Sequence, residues 1–293
     1  MSIAKKFEAF CSNIRMDDYV VDEVTGRYRA ITNMLNEDFH NYKSYLNNSL
    51  YVGSYGRGTA IHVSDIDMLF ILPYTCYSQY DCYNSNGQSQ LLQDIKKSIA
   101  KLYPGTKLRG DGQVVVIEFA NNIRFEVLPC FVIGDGIGYK FPDTHNGGSW
   151  KVTKPKEEQE AINKLNNITN KNLKRLCRMI RAWKDMCNVD MGGLLIDTMA
   201  HNFLETWLYK DKSFLYYDYM TRDFFRYLSK ENDKQAYWLA VGSNQRIYNN
   251  CLFVAKAKKA YYNASEAIKY EENGQESSAN NKWKEIYGSR FKN

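Results

Sequence analysis

Residues 52–73 read Val52-Gly53-Ser54-Tyr55-Gly56-Arg57-Gly58-Thr59-Ala60-Ile61-His62-Val63-Ser64-Asp65-Ile66-Asp67-Met68-Leu69-Phe70-Ile71-Leu72-Pro73. The nearly unbroken apolar run from Ile66 to Leu72, ended by Pro73, is the pattern of a buried strand. A short strand over Leu50–Val52 leads into the glycine-rich turn before it. Strand residues two apart project from the same face, so Asp65 and Asp67 present two carboxylates side by side. Like charges that close repel unless a cation lies between them. Mg²⁺ suits the position, because it takes hard oxygen ligands and completes its shell with substrate phosphates. Gly53-Ser54 supplies the other half of a nucleotide site. Backbone N–H groups of a glycine turn approach phosphate oxygens closely, and the Ser54 hydroxyl can donate one more hydrogen bond.

A lone Asp-x-Asp is usually a solvated strand end, and a lone Gly-Ser usually a turn. The combination is more specific: apolar-Gly-Ser, ten intervening residues (55–64), then Asp-apolar-Asp-apolar, with an acid on a later strand. Two later strands are expected over Val114–Phe119 and Arg124–Phe131, joined by Ala120-Asn121-Asn122. Glu126 shares a face with Arg124 and Leu128 and is the expected third carboxylate; Glu118 is its competitor. Three such acids can hold two metals about 3.5–4 Å apart, which activate an attacking hydroxyl and stabilise the leaving oxygen.

Outward from this centre, residues 3–48 read as helical, with Ile3, Phe7, Phe10 and Ile14 at helical spacing. Residues 74–90 are polar and Tyr-rich and read as a loop. Residues 91–103 form an amphipathic helix, and Gly134–Trp150, with five glycines, reads as a structured loop. From about residue 156 the pattern is helical: Leu173, Leu176, Cys177, Ile180 and Trp183 mark one apolar stripe, and Glu271–Asn281 reads as a polar connection. The expected fold is α+β, with residues 1–155 holding an N-terminal helix and the catalytic sheet, and 156–293 a helical half completing a cleft.

The 293 residues exceed what one small core needs. A net charge of +6 permits polyanionic substrates without implying a nucleic-acid coat. The 7 Cys are odd in number and lack C-x-x-C spacing, which argues against a zinc site or a disulfide framework and for a reducing cytoplasm. The first residues meet a charge at Lys5, unlike a signal peptide, and no apolar run is long enough to span a bilayer. No membrane association is expected.

The Gly-Ser and Asp-x-Asp arrangement resembles the DNA-polymerase-β nucleotidyltransferase superfamily. The fuller string GSYGRGTAIHVSDIDMLFILP resembles more narrowly the bacterial cGAS/DncV-like nucleotidyltransferases, or SMODS-domain nucleotide synthases. FEVLPCF (125–131) resembles the strand carrying their third acid, and GGSWKVTKP (147–155) a loop near the nucleotide. CRMIRAWKDMCNVDMGGLLIDTMAHNFL (177–204) resembles the helix pair opening their helical half, and WKEIYGSRF (283–291) their closing motif. The resemblance runs from about residue 20 to 292.

It implies a polymerase-β-type mixed sheet with a helical C-terminal half. The implied enzyme holds Mg²⁺ in a two-metal site at Asp65, Asp67 and Glu126. It binds NTP phosphates, ATP among them, at Gly53, Ser54, Arg181 and Lys184, and releases pyrophosphate on forming a cyclic di- or trinucleotide in anti-phage defence (CBASS). Association with other defence proteins is implied, and nucleic acid is not required. The sequence departs from the family in using Glu126 where relatives often carry Asp, and Arg181 where one branch has Lys. A Ser that some relatives carry on the next helix has no counterpart in GGLLIDT.

Arg178, Arg181 and Lys184 also fit a solvated basic helix face. Trp150 is read as a core anchor rather than a base-stacking platform. Tyr55 either lines the pocket or packs, Tyr261 and Tyr262 read as helix packing, and His62 and His201 read as structural. Two other functions stay open: a superfamily enzyme adding nucleotides to RNA or protein, and a non-catalytic nucleic-acid-binding module.

Overall fold

A computed structural model describes residues 1–61, 65–134, 136–249 and 252–292. In chain order the elements are α1 (Ile3–Asn13), α2 (Asp18–His40), β1 (Ser49–Tyr51), the single turn α3 (Gly53–Gly56), β2 (Asp65–Ile71), α4 (Tyr74–Asp81) and α5 (Gly87–Leu102). Five strands follow: β3 (Lys107–Asp111), β4 (Val114–Glu118), β5 (Arg124–Val132), β6 (Tyr139–Asp143) and β7 (Ser149–Thr153). The remainder is α6 (Pro155–Ile168), α7 (Asn172–Cys187), α8 (Gly193–Thr206), α9 (Tyr217–Leu228), the hairpin β8 (Tyr237–Leu239) and β9 (Arg246–Tyr248), α10 (Val254–Glu272) and α11 (Glu276–Tyr287).

The chain divides into two compact units. One comprises Met16–Gly56 and Val63–Glu157; the other comprises Met1–Arg15, Arg57–His62 and Glu158–Asn293. The first is a mixed sheet in the order β1-β2-β5-β4-β3, with β6 and β7 extending from β5. β2 and β5 run parallel; the other pairs are antiparallel. Alternation along the strands sorts the two faces. Ile66, Met68 and Phe70 of β2, Phe125 and Val127 of β5, and Val115 and Ile117 of β4 are buried on one face. They pack with Val24, Ile31 and Leu35 of α2 and Leu91, Leu92, Ile95 and Ile99 of α5. The opposite face begins polar, at Asp65 and Asp67, and turns apolar at Leu69, which clusters with Val52, Cys130 and Tyr139.

The second unit is built on one aromatic-rich core, with Phe7 and Phe10 of α1, Trp183 of α7, Phe224 and Phe225 of α9, and Trp283 and Phe291 all buried. The first helix therefore belongs to the helical unit, not to the sheet as residues 1–155 were expected to divide. Its aromatic face decides this: Phe7 makes edge contacts with Trp283 and Phe291 at centroid distances of 5.1 and 5.2 Å.

Several expected boundaries move. The helical stretch over 3–48 is interrupted after Asn13 and stops at His40, where Asn41 is left-handed (φ 59°). Beyond it the buried Asn36 amide donates to Ser44 O and Asn47 O and fixes a loop. Residues 74–90 hold α4, which buries Tyr80 despite its polar composition. The glycine-rich 134–150 stretch contains β6 and the start of β7, joined through Gly147 and Gly148 at φ 88° and 96°. Glu271–Asn281 is almost wholly helical, with a break only between Glu272 and Glu276. β3 and the β8–β9 hairpin had no expectation attached.

Candidate active site

β2 and β5 pair in register, Asp65 beside Arg124 and Asp67 beside Glu126. Adjacent strands lie about 4.8 Å apart, so Glu126 is the carboxylate next to Asp67 on the same face. Glu118 shares that face, but its strand lies beyond β5, where it pairs with Arg124 rather than with an aspartate. Its carboxylate is held by Lys107 at 2.6 Å and Arg109 at 3.5 Å, and Lys107 keeps its pKa below the ordinary value.

The Gly-Ser turn is tied to the same strand. Val52 N donates to Asp67 O at 2.9 Å, and Gly56 N closes the turn on Val52 O at 2.9 Å. Gly53 has φ +60°, and a Cβ there would lie 1.8 Å from Asp67 Oδ2. Only glycine lets the backbone adopt this conformation against the carboxylate.

Arg124 is the local counter-ion. Its guanidinium lies 3.5 Å from Asp65 Oδ1 and makes a short ion pair with Glu126 Oε1. Burial pushes the Glu126 carboxyl up, Arg124 opposes it, and Asp65 and Asp111 add to the rise. Among the described residues no three His, Cys, Asp or Glu side chains are gathered as a ligand set, with Arg124 engaging Asp65 and Glu126. In donor chemistry the residues fit a divalent cation: they set hard carboxylate oxygens on one face of adjoining strands.

The helix residues expected to meet phosphate fare differently. Arg181 is buried and donates to both Asp197 oxygens, at 2.6 and 3.0 Å, to Gly193 O at 3.0 Å and to Cys177 O at 3.2 Å. These bonds make it an internal counter-ion, which corrects the expectation of a phosphate contact there. Lys184 lies half-buried in the last turn of α7. Arg178 donates to Gly58 O at 2.8 Å.

Sequence reasoning missed the network that Arg181 joins. Arg57 Nε reaches Asp197 Oδ2 at 2.7 Å, Thr59 Oγ1 donates to the same oxygen at 2.9 Å, and Arg57 Nη1 lies 3.3 Å from Glu158. It fastens Arg57–Thr59, the segment after the Gly-Ser turn, within the helical unit. The one visible signal was an aspartate, Asp197, inside the apolar run of α8. Of the remaining residues, Trp150 packs with Tyr77 and Phe131 and donates to Asp81 Oδ1 at 2.8 Å, as an anchor does. Tyr55 packs on Tyr51, and Tyr261 and Tyr262 lie side by side on α10. His201 is part-buried in α8. His62 and Ser64 lie outside the described residues. Among the described residues no helix is long and apolar enough to cross a membrane.

The model of the family described as "Second Messenger Oligonucleotide or Dinucleotide Synthetase domain" matches residues 1–166. The chain is 22% identical over 272 residues, 82% of its own length and 80% of the relative's, to a probable cyclic nucleotide synthase of Bacillus cereus (strain VD146). In fold it is similar to CdnC of E. coli MS115-1, solved with ATP, at a TM-score of 0.74 and 15% identity over 99% of both chains. It is similar also to the CD-NTase CdnG of Bradyrhizobium diazoefficiens, solved with GTP, at a TM-score of 0.71 and 10% identity over 99% of this chain and 96% of that one. With more than half its length matched by the family model, and a polymerase-β-type α+β fold, the chain belongs to the Second Messenger Oligonucleotide or Dinucleotide Synthetase family of nucleotidyltransferases.

Proposed function

We propose that the chain joins NTPs, ATP among them, into a cyclic di- or trinucleotide with release of pyrophosphate, as a signal in anti-phage defence in the bacterial cytoplasm. The observation that carries the site assignment is the register of β2 on β5, which sets Glu126 beside Asp67 on the face where Asp67 abuts Gly53. Solved relatives carrying ATP and GTP support nucleoside triphosphates as substrates. The alternatives of RNA or protein modification and of non-catalytic nucleic-acid binding are not favoured by the family.

In this reading Asp65, Asp67 and Glu126 would hold Mg²⁺, which when bound would lower the pKa of an attacking ribose hydroxyl and offset the charge of the triphosphate. Gly53 brings backbone amides to the phosphates, Ser54 donates a hydroxyl, and Lys184 offers a point charge to the triphosphate. Arg124 sets a positive charge against Asp65 and Glu126 where the two carboxylates lie side by side. Replacing Asp65 and Asp67 together by Asn is expected to abolish pyrophosphate release from NTPs while leaving the far-UV circular dichroism unchanged. Wild-type release from a folded double variant would remove these residues from the site.

A further inference from the structure

The helical unit contains a cavity of about 460 Å³ lined by Arg15, Lys171, Lys174, Arg175 and Arg178, with Glu8 as its carboxylate. None of these residues belongs to the active site described above. Among the described residues none of the five cations is ion-paired, and the contacts of their donors end on neutral oxygens. Lys171 Nζ donates to Asn167 Oδ1 at 2.5 Å and Lys174 Nζ to Asn163 Oδ1 at 2.7 Å. Arg175 donates to Asn170 O at 3.0 Å and Arg178 to Gly58 O at 2.8 Å. Five like charges gathered around one concavity, against a single acid, repel one another with no internal compensation. Surface cations that serve only solubility are spread out and interspersed with acids.

We propose that this cavity is a second anion site, which binds a small polyphosphate of the size and charge of a nucleoside triphosphate. The volume, about 460 Å³, lies in the ordinary range for small-molecule pockets, about 300–1,000 Å³. The charge excess of four, five cations less Glu8, is of the order carried by a triphosphate. Arginine forks suit phosphate oxygens, and three of the five are Arg. Phe214 adds an apolar wall already stacked by Arg175 at 4.9 Å.

The crowding has a measurable consequence inside the cavity. Burial lowers the Lys174 pKa and the Arg178 charge lowers it further; burial and then Arg15 act the same way on Arg178. Cys11, which also lines the cavity, is no source of negative charge, because burial pushes its thiol up to about 12. An incoming polyanion would relieve these repulsions.

The test is calorimetric titration of the full chain with sodium tripolyphosphate and with ATP, in EDTA so that no divalent cation bridges ligand and carboxylates. Both should bind, more weakly as salt is raised. The double variant Arg15→Glu/Lys171→Glu, at two exposed positions, should weaken both at least about tenfold. Asp65→Asn/Asp67→Asn should leave tripolyphosphate binding in place, which separates this site from the catalytic assignment. If the charge reversal fails to fold, Arg15→Gln/Lys171→Gln should show the same loss in smaller measure. Tripolyphosphate binding that is absent, or that survives both variants, overturns the proposal. So does a cavity that takes only duplex DNA.

Discussion

At Gly53 the geometry leaves no room for a side chain. The residue is left-handed, and a Cβ would fall within bonding distance of the Asp67 carboxylate. Gly53→Ala is therefore expected to displace Asp67 and remove most NTP turnover. The backbone cost is only about 1–2 kcal/mol, so the variant should remain folded by chemical denaturation. A folded variant with wild-type turnover would mean that Asp67 does not depend on this turn. Across the strand pair, Glu126→Gln should abolish pyrophosphate release and Glu118→Gln should leave it largely intact, since Glu118 is held by Lys107 and Arg109 one strand further out. Reversed effects would move the third carboxylate to β4. Asp65 and Asp67 were legible as a pair because strand periodicity fixes which residues share a face, whereas Glu126 was chosen over Glu118 through the resemblance of its FEVLP strand to the family's. Arg124 as their counter-ion was not, because the sequence does not print the register of β2 on β5. Arg181 was misread for a similar reason. A basic residue on the polar side of a helix looks the same whether it meets solvent or an aspartate brought by the next helix.

Among the elements, the segment after the Gly-Ser turn depends on α7 and α8. Asp197 on α8 receives Arg181 from α7 and Arg57 and Thr59 from that segment. Burial alone would raise the Asp197 pKa, but the two guanidinium groups outweigh it and hold the carboxyl at about 2. Asp197→Ala leaves two buried cations facing a void and is expected to cost about 3–5 kcal/mol in the unfolding free energy of the helical unit. The folded pKa lies below the unfolded value of about 3.9. The stabilisation is thus complete above that value and is lost as pH falls from about 4 towards 2. In Asp197→Ala this part of the acid dependence should disappear; a variant as stable as wild type at neutral pH, with the same acid slope, would rule out a structural role for the network. Elements with a strong apolar period, β2, β5 and α7, could be read from sequence. α4 could not, since seven of its eight residues stay at least part-exposed. β6 and β7 were hidden by the glycines of their own turn.

For the whole molecule, the distribution of charge bears on what is made. The chain carries 39 basic and 33 acidic residues, and among the described residues the cations on β3 and β5 beside the candidate site are already ion-paired. Lys107 and Arg109 pair with Glu118, and Arg124 pairs with Asp65 and Glu126. An enzyme that tracks a polynucleotide needs a continuous basic groove along the backbone path. Among the described residues, the unpaired cations Arg15, Lys171, Lys174, Arg175 and Arg178 gather around one cavity rather than along a stripe. Cations paired off beside the three carboxylates form no such groove there, and the match to an oligonucleotide or dinucleotide synthetase family favours a short product. The chain is therefore expected to convert free NTPs and Mg²⁺ into a small cyclic oligonucleotide with no template or primer. Phosphatase treatment followed by mass spectrometry reads this directly, because a cyclic product has no terminal phosphate and survives. A ladder of linear oligomers, or turnover only when RNA is added, would contradict cyclisation and point to a macromolecular acceptor.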